Sequence, residues 1–137
     1  MGRTTVNHEG GMTFVGRGRS GHDVIMDAGE SSGGSDRAAT PVETLLASLG
    51  GCTGMDVISI LRKMKTEPQA LTIEINDERA EAYPKVIQRL HLTYIVKGDV
   101  PLENVQKAVE LSLAKYCPIA NSLAGVAEIS SEIRLTL

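Results

Sequence analysis

Cys52 and Cys117 are the only thiols in this chain of 137 residues. Cys52 lies within Leu49-Gly50-Gly51-Cys52-Thr53-Gly54-Met55-Asp56, and Cys117 within Lys115-Tyr116-Cys117-Pro118-Ile119-Ala120. If the two meet in the fold they form a dithiol, able to cycle between free thiols and a disulfide. The reacting species is the thiolate. A thiol with pKa near 8.5 is only about 3 % ionised at pH 7, against roughly 90 % for one near 6, a difference of ~3.4 kcal/mol that the surroundings must supply.

The two positions differ in what they can supply. Cys117 stands where an N-cap residue would, directly before Pro118, so a short helix after it points free N–H groups and its positive dipole end at the sulfur, for about 1–2 kcal/mol. Cys52 falls in mid-helix, where the backbone donors are used and burial raises a thiol pKa. Asp56, four residues on, can face the same side and oppose a second negative charge. Local physics therefore picks Cys117 as the more acidic thiol, and a reactive Cys52 needs a cation from elsewhere in the fold. A cysteine on a buried apolar helix is ordinarily a small hydrophobe, so a purely structural reading of both stays open.

Other chemistry is thinly represented. Glu43 is most simply a helix-capping residue. His8, His22 and His91 are scattered, with no i, i+4 pair, and neither cysteine belongs to a C-x-x-C unit, which leaves a zinc site weakly supported. Arg17-Gly18-Arg19 and Asp77-Glu78-Arg79-Ala80-Glu81 read as solvated turn charges. The sequence displays no phosphate loop, nucleotide fingerprint or Ser-His-Asp arrangement.

The elements that must position the thiols are legible in outline. Glycines at 10, 11, 16, 18, 21 and 29 punctuate Thr4–Asn7, Met12–Val15 and Asp23–Met26, the pattern of a strand meander. Gly29–Asp36, rich in Gly and Ser, reads as a flexible connector. Thr40-Pro41-Val42-Glu43 then starts a helix, with Thr40 as N-cap, Pro41 at the first position and Glu43 closing a capping box. That helix should run to about Lys65. Between Thr44 and Leu61 its only charge is Asp56 and its apolar residues fall on every face, which predicts a buried helix. A membrane span is the rival reading, opposed by three glycines, several hydroxyls and Asp56 within the window. Gly50 and Gly51 cost about 1 kcal/mol each relative to Ala, which predicts close approach of another backbone, plausibly a partner helix. Leu71–Glu78 and Val86–Val96 alternate as an antiparallel hairpin. Pro101 to about Lys115 is a second helix, Ile119–Ala124 a short one after Cys117-Pro118, and Ile129–Leu137 the last strand.

Length predicts one α+β domain, 1–137, with the meander and linker over 1–37 and a helix-containing core over 38–137. Three Tyr, one Phe and no Trp make that core mainly aliphatic. A net charge of −3, with acids and bases interspersed, gives no footprint for nucleic acid or an anionic membrane. The first residues lack the apolar core of a secretory signal, so a cytoplasmic setting is expected. In a reducing compartment a cysteine pair is more often catalytic, redox-sensing or metal-binding than a staple.

Taken together, the helix Thr40–Asp56 and the later Lys115–Ala120 resemble the OsmC/Ohr family of osmotically induced and organic-hydroperoxide-resistance proteins, over essentially the whole chain. Pro41 to Cys52 is similar to the family's Pro-Glu-x-Leu-x-x-x-x-x-x-Cys helix in spacing. The resemblance implies a β-β-β-α-β-β-α-α-β fold and an intertwined homodimer with two long helices packed centrally between sheets. It places Cys52 at the reactive position and Cys117 at the resolving one, with Glu43 as a candidate catalytic acid. The implied chemistry is thiol-based reduction of organic hydroperoxides in oxidative-stress defence, without metal, flavin or other cofactor. Cys52 would become a sulfenic acid, Cys117 would close a disulfide, and a lipoyl-type dithiol would reopen it. This chain departs from the pattern twice. Val42 follows Pro41 where the family has Glu, leaving Glu43 one place late, roughly 100° around the helix. The family's activating Arg has no counterpart around Gly10–Phe14, so Arg17 and Arg19 are the candidates. These departures resemble a less characterised branch, and they keep open a second class of function: a redox-sensing or small-molecule-binding dimer without efficient turnover.

Overall fold

The computed structural model describes residues 1–137. The chain forms β1 (Thr5–His8), β2 (Phe14–Arg17), β3 (Asp23–Met26), a 3-10 turn at Glu30–Ser32, α1 (Pro41–Lys63), β4 (Ala70–Arg79), β5 (Ile87–Lys97), α2 (Leu102–Leu111), a π-helical turn at Ser112–Tyr116, α3 (Pro118–Leu123) and β6 (Glu128–Thr136). It divides into two compact units, Met1–Ala47 and Ser48–Leu137, the division falling inside α1.

In the N-terminal unit β1, β2 and β3 form an antiparallel meander in sequence order. Gly10 and Gly11, at φ 100° and 55°, make the first turn, which a side chain would strain. The segment expected to be a flexible connector is instead tied down. The Asp27 carboxylate, nearly fully buried, accepts hydrogen bonds from the amides of Ala28, Ser35 and Arg37. Those bonds, led by that from Ala28, hold its pKa below the ordinary value against the opposing effect of burial. Gly34 passes so close to Ala28 that a Cβ there would fall 1.9 Å from the Ala28 carbonyl oxygen. Composition suggested mobility because it cannot show that one acid gathers three amides.

In the C-terminal unit β4 and β5 pair antiparallel, with a register shift at Glu78/Arg79, and β6 returns parallel to β5. A parallel return needs a crossover, and α2, the π turn and α3 supply it. Alternation along β5 turns Leu90, Leu92, Tyr94 and Val96 inward, all fully buried. The core closes with Leu49, Val57 and Leu61 of α1 and Val105, Ala108 and Val109 of α2.

The long helix is not buried all round. Only Leu49, Thr53, Val57 and Leu61 are buried, one residue per turn along a single stripe, and Met55 is 76 % exposed. The sequence pattern reports where apolar residues fall, not how much surface one copy of the chain can cover. By length and composition α1 could cross a membrane. Its core stripe, with a buried Thr53 at the middle, is that of a helix seated in a folded unit. No other backbone approaches Gly50 or Gly51 within this chain; side chains do so at Gly50 and at Gly54, where an added Cβ would lie 3.2 Å from the terminal methyls of Ile75 and Ile73 in β4. The neighbour at Gly50 is therefore a strand side chain, while nothing lies within 4 Å of a Cβ built on Gly51.

This geometry sets the expected outcome at Gly54. An Ala there gains helix propensity of about 1 kcal/mol while asking a flexible methyl to yield, so the two effects nearly cancel. A Leu overpacks the helix–sheet contact and should cost ~1–3 kcal/mol. Urea unfolding of Gly54→Ala and Gly54→Leu measures both, and a Leu variant as stable as wild type would show that the contact is loose.

Candidate functional site

Both cysteines are free thiols, Cys117 fully buried and Cys52 partly exposed. Each is positioned by local sequence. Cys52 is the residue before Thr53 of the buried stripe, which holds it beside the core. Cys117 closes the π turn, its amide donating to the Ser112 carbonyl at 2.8 Å, and takes an extended conformation (φ −80°, ψ 105°) that the following proline favours. It then caps α3 as expected: Pro118 is the first helical residue, and the sulfur accepts from the Ala120 amide at 3.3 Å. Asn121 clamps the junction, its Nδ2 donating to the carbonyls of Cys117 and Leu113 at 2.8 and 3.1 Å.

The fold brings Cys52 near enough to Cys117 to act on its ionisation. The acidity of Cys117 is not as the local sequence suggests. Burial pushes the Cys117 thiol up to about 11, the Ala120 amide only partly offsetting it, and Cys52 adds to the rise. A one-ended helix dipole worth about 1–2 kcal/mol loses to full desolvation. Cys117 is thus held as a thiol at neutral pH.

Asp56, four residues after Cys52, takes a partner from outside its helix. Its Oδ2 accepts from Ser112 Oγ at 2.9 Å. Ser112 Oγ in turn meets Thr53 Oγ1 at 2.7 Å, and Thr53 Oγ1 meets the Tyr94 hydroxyl at 2.8 Å. Tyr94, Thr53 and Ser112 are fully buried. Burial, with the nearby Cys117 and Asp56 charges, pushes the Tyr94 phenol up to about 12 against the effect of its hydrogen bond with Thr53. Sequence reasoning passed over these three residues, although a lone Tyr on the inward face of an aliphatic strand calls for a hydroxyl partner.

Glu43 occupies the capping box, its Oε1 accepting from the Thr40 amide at 3.0 Å while Thr40 Oγ1 accepts from the Glu43 amide at 3.2 Å. The Thr40 amide is the main cause that lowers its pKa. Arg17 is engaged by Asp23, with Nε to Oδ1 at 2.7 Å, and Arg19 is exposed. Glu78 and Arg89 pair across β4 and β5 and so belong to the sheet, not to a turn.

A Ser-His-acid alignment that is invisible in sequence order also forms: His91 Nδ1 meets Ser130 Oγ at 2.7 Å and Nε2 meets Glu132 Oε1 at 3.0 Å. Neighbouring strands assemble it, His91 standing directly opposite Ser130 in the parallel register. The site lacks what acyl transfer requires. It lies on an exposed strand face where the backbone N–H groups serve the ladder, leaving no pair to hold an oxyanion.

An α+β fold that seats one free cysteine on a long helix and a second near it, at the cap of a short one, defines a dithiol protein. The chain belongs to the OsmC/Ohr family: the family described as OsmC-like protein matches residues 33–132. It is 37 % identical to Protein YhfA of Escherichia coli strain K12 over 121 residues, 88 % of this chain and 87 % of that protein. Among solved structures, a hypothetical protein from Aquifex aeolicus superposes with a TM-score of 0.82 at 25 % identity, covering 100 % of this chain and 98 % of the other. An organic hydroperoxide resistance protein from Elizabethkingia anophelis shares the fold, with a TM-score of 0.74 at 17 % identity over 99 % and 96 % of the two chains.

The raised Cys117 pKa carries a stability consequence of definite sign. A thiol that ionises near 9.0 when unfolded and near 11 when folded holds more protons in the native state between those values. Its contribution is therefore complete below about pH 9 and is lost as pH rises through 11, an effect of order 2 kcal/mol. Tyr94 acts in the same direction at still higher pH. Cys117→Ala should flatten the fall in urea stability between pH 9 and 11, and an unchanged slope would refute the shift.

Proposed function

We propose that this protein reduces organic hydroperoxides with its two thiols. The observation that carries the proposal is that the fold sets Cys52 beside a fully buried Cys117. The Cys52 thiolate attacks the distal peroxide oxygen, and with one proton taken up the products are the alcohol and the Cys52 sulfenic acid. Cys117 then displaces the hydroxyl, its own proton leaving with it as water, and a disulfide forms. A lipoyl-type dithiol returns both cysteines to thiols and becomes the disulfide itself.

The surroundings support an alkyl substrate. A hollow of about 410 Å³ is lined by Val109, Leu113, Ala114, Ala120, Ala124 and Ile129, and Ala120 is the residue whose amide holds the Cys117 sulfur. The fold shared with proteins named for organic hydroperoxide resistance supports the same reading. The reading includes a homodimer, which the exposed Met55 and the open space at Gly51 favour, a cytoplasmic setting, and Glu43 as an accessory acid. A second reading, a redox sensor closing its disulfide once without turnover, is favoured by one observation: Arg17, a candidate activating cation, is held by Asp23.

Consumption of tert-butyl hydroperoxide by purified protein with dihydrolipoamide decides between them. Turnover should vanish in Cys52→Ser. Cys117→Ser should stop at a Cys52 sulfenic acid that dimedone traps. Glu43→Gln, which keeps the acceptor for the Thr40 amide and so the capping box, should lower turnover with urea stability little changed. One equivalent of peroxide consumed per dithiol, with no further turnover, would replace the enzyme by the sensor. Sedimentation at micromolar concentration tests the dimer, and a monomer would remove it.

A further inference from the structure

Ser112 is held from three directions. Its amide donates to the carbonyls of Ala108 and Val109, closing α2. Its carbonyl accepts the Cys117 amide at 2.8 Å, five residues on, where α-helical spacing would bring Tyr116. Its hydroxyl, fully buried, meets Thr53 Oγ1 at 2.7 Å and donates to Asp56 Oδ2 at 2.9 Å. Thr53 follows Cys52 directly and Asp56 lies one turn further, so both bonds end on the stretch of α1 that carries the first thiol.

The path from one cysteine to the other is therefore short. It runs from Cys52 to Thr53 along the chain, to Ser112 through the two hydroxyls, and to Cys117 through the main chain. Asn121 of α3 holds the far side of the same turn through the Leu113 and Cys117 carbonyls. Satisfying buried groups does not require this arrangement. An Ala at 112 would keep the carbonyl bond to Cys117 and leave Thr53 paired with Tyr94. What only the hydroxyl supplies is the register of the turn against α1.

We propose that Ser112 is the positioning residue of the thiol pair: bound to α1 by its hydroxyl and to Cys117 by its carbonyl, it holds the second sulfur in register with the first and so sets how readily the disulfide closes. A disulfide demands sulfurs about 2 Å apart and a dihedral angle near 90°, so closure favours a turn already fixed in place. Holding one thiol at the other raises its effective concentration there, and letting the turn drift lowers it. The role rests on the dithiol reading of Cys52 and Cys117 but not on which oxidant acts.

The test equilibrates the protein with glutathione and glutathione disulfide at neutral pH and reads the redox forms by mass spectrometry after an acid quench. Cys52, the more exposed thiol, displaces one glutathione and forms a mixed disulfide; Cys117 displaces the second. One glutathione disulfide thus becomes two glutathione thiols, which carry off the two thiol protons, as the protein is oxidised by two electrons. Ser112→Ala should lower the closing constant roughly tenfold, a rise in potential of about 30 mV, and raise the share of Cys52 held as mixed disulfide. Asp56→Ala, which cuts the half-buried end of the same link, should lower the constant too, and Asp56→Asn, which keeps an acceptor for Ser112, should recover it. A folded Ser112→Ala with the wild-type constant would overturn the role, and so would a loss of urea stability equal in the reduced and oxidised forms, the mark of packing alone. An Asp56→Asn as weak as Asp56→Ala traces the effect to charge and also overturns it. Should Ser112→Ala fail to fold, the two Asp56 variants decide. A wild type that never closes Cys52 on Cys117 sinks the dithiol reading and this role with it. A wild type that closes with the Ser112 dependence intact but ignores tert-butyl hydroperoxide sinks the peroxidase reading alone.

Discussion

One hydroxyl, that of Thr53, joins the three elements on which the C-terminal unit is built. It lies at the middle of the buried stripe of α1, meets Tyr94 from β5, and meets Ser112 at the start of the π turn. Each of these groups would be an unsatisfied buried polar atom without the others, at about 1–3 kcal/mol apiece, and no buried side-chain polar atom is left unpaired. The helix is therefore fixed in rotation as well as in depth. A slip of one residue would turn Gly50 and Gly54 away from Ile75 and Ile73, and bring bulkier side chains against β4. Sterics on one side and hydroxyl pairing on the other thus set where Cys52 points.

The same construction explains why Cys117 behaves against its local environment. A helix cap with a free amide and a following proline ordinarily lowers a thiol pKa, and both features are present. The π turn draws the Cys117 amide back to Ser112 and carries the sulfur into the core, where desolvation outweighs the dipole. Single π turns within helices are frequent at functional sites. Here the extra residue changes the partner of one cysteine's backbone, and thereby its depth and protonation state.

Much of the fold was legible because its signals are local. The capping box at Thr40 and Glu43, the alternation in β5, and the Cys117-Pro118 break each depend on a few adjacent residues, and the elements lie within about two residues of their sequence readings except α2, which ends at Leu111 and hands over to a π-helical turn instead of running to about Lys115. What was not legible is what only the fold brings together. The Gly-Ser segment after Gly29 reads as loose because three amides converge on Asp27 from positions up to ten residues away. Tyr94, Thr53, Ser112 and Asp56 come from three elements spread over much of the chain, so no spacing rule joins them. The nearness of Cys52 to Cys117 was available only through the family resemblance, since nothing in either local sequence points to the other.

The two polar networks of the C-terminal unit use the same residue types to opposite effect. On the exposed face of the sheet, His91 bridges Ser130 and Glu132, and Thr93 and Arg134 also reach Glu132. Water can reach His91, Glu132 and Arg134, so their pairing is worth little energetically, while Thr93 beside them is itself buried. On the other face Tyr94, Thr53 and Ser112 are closed off from water and bond to one another, with Asp56 at the half-buried end. Alternation along β5 decides which network a residue joins: His91 and Thr93 lie on one face, Leu92 and Tyr94 on the other. That one-residue difference in register separates the ladder around Glu132 from the buried chain of Tyr94, Thr53 and Ser112.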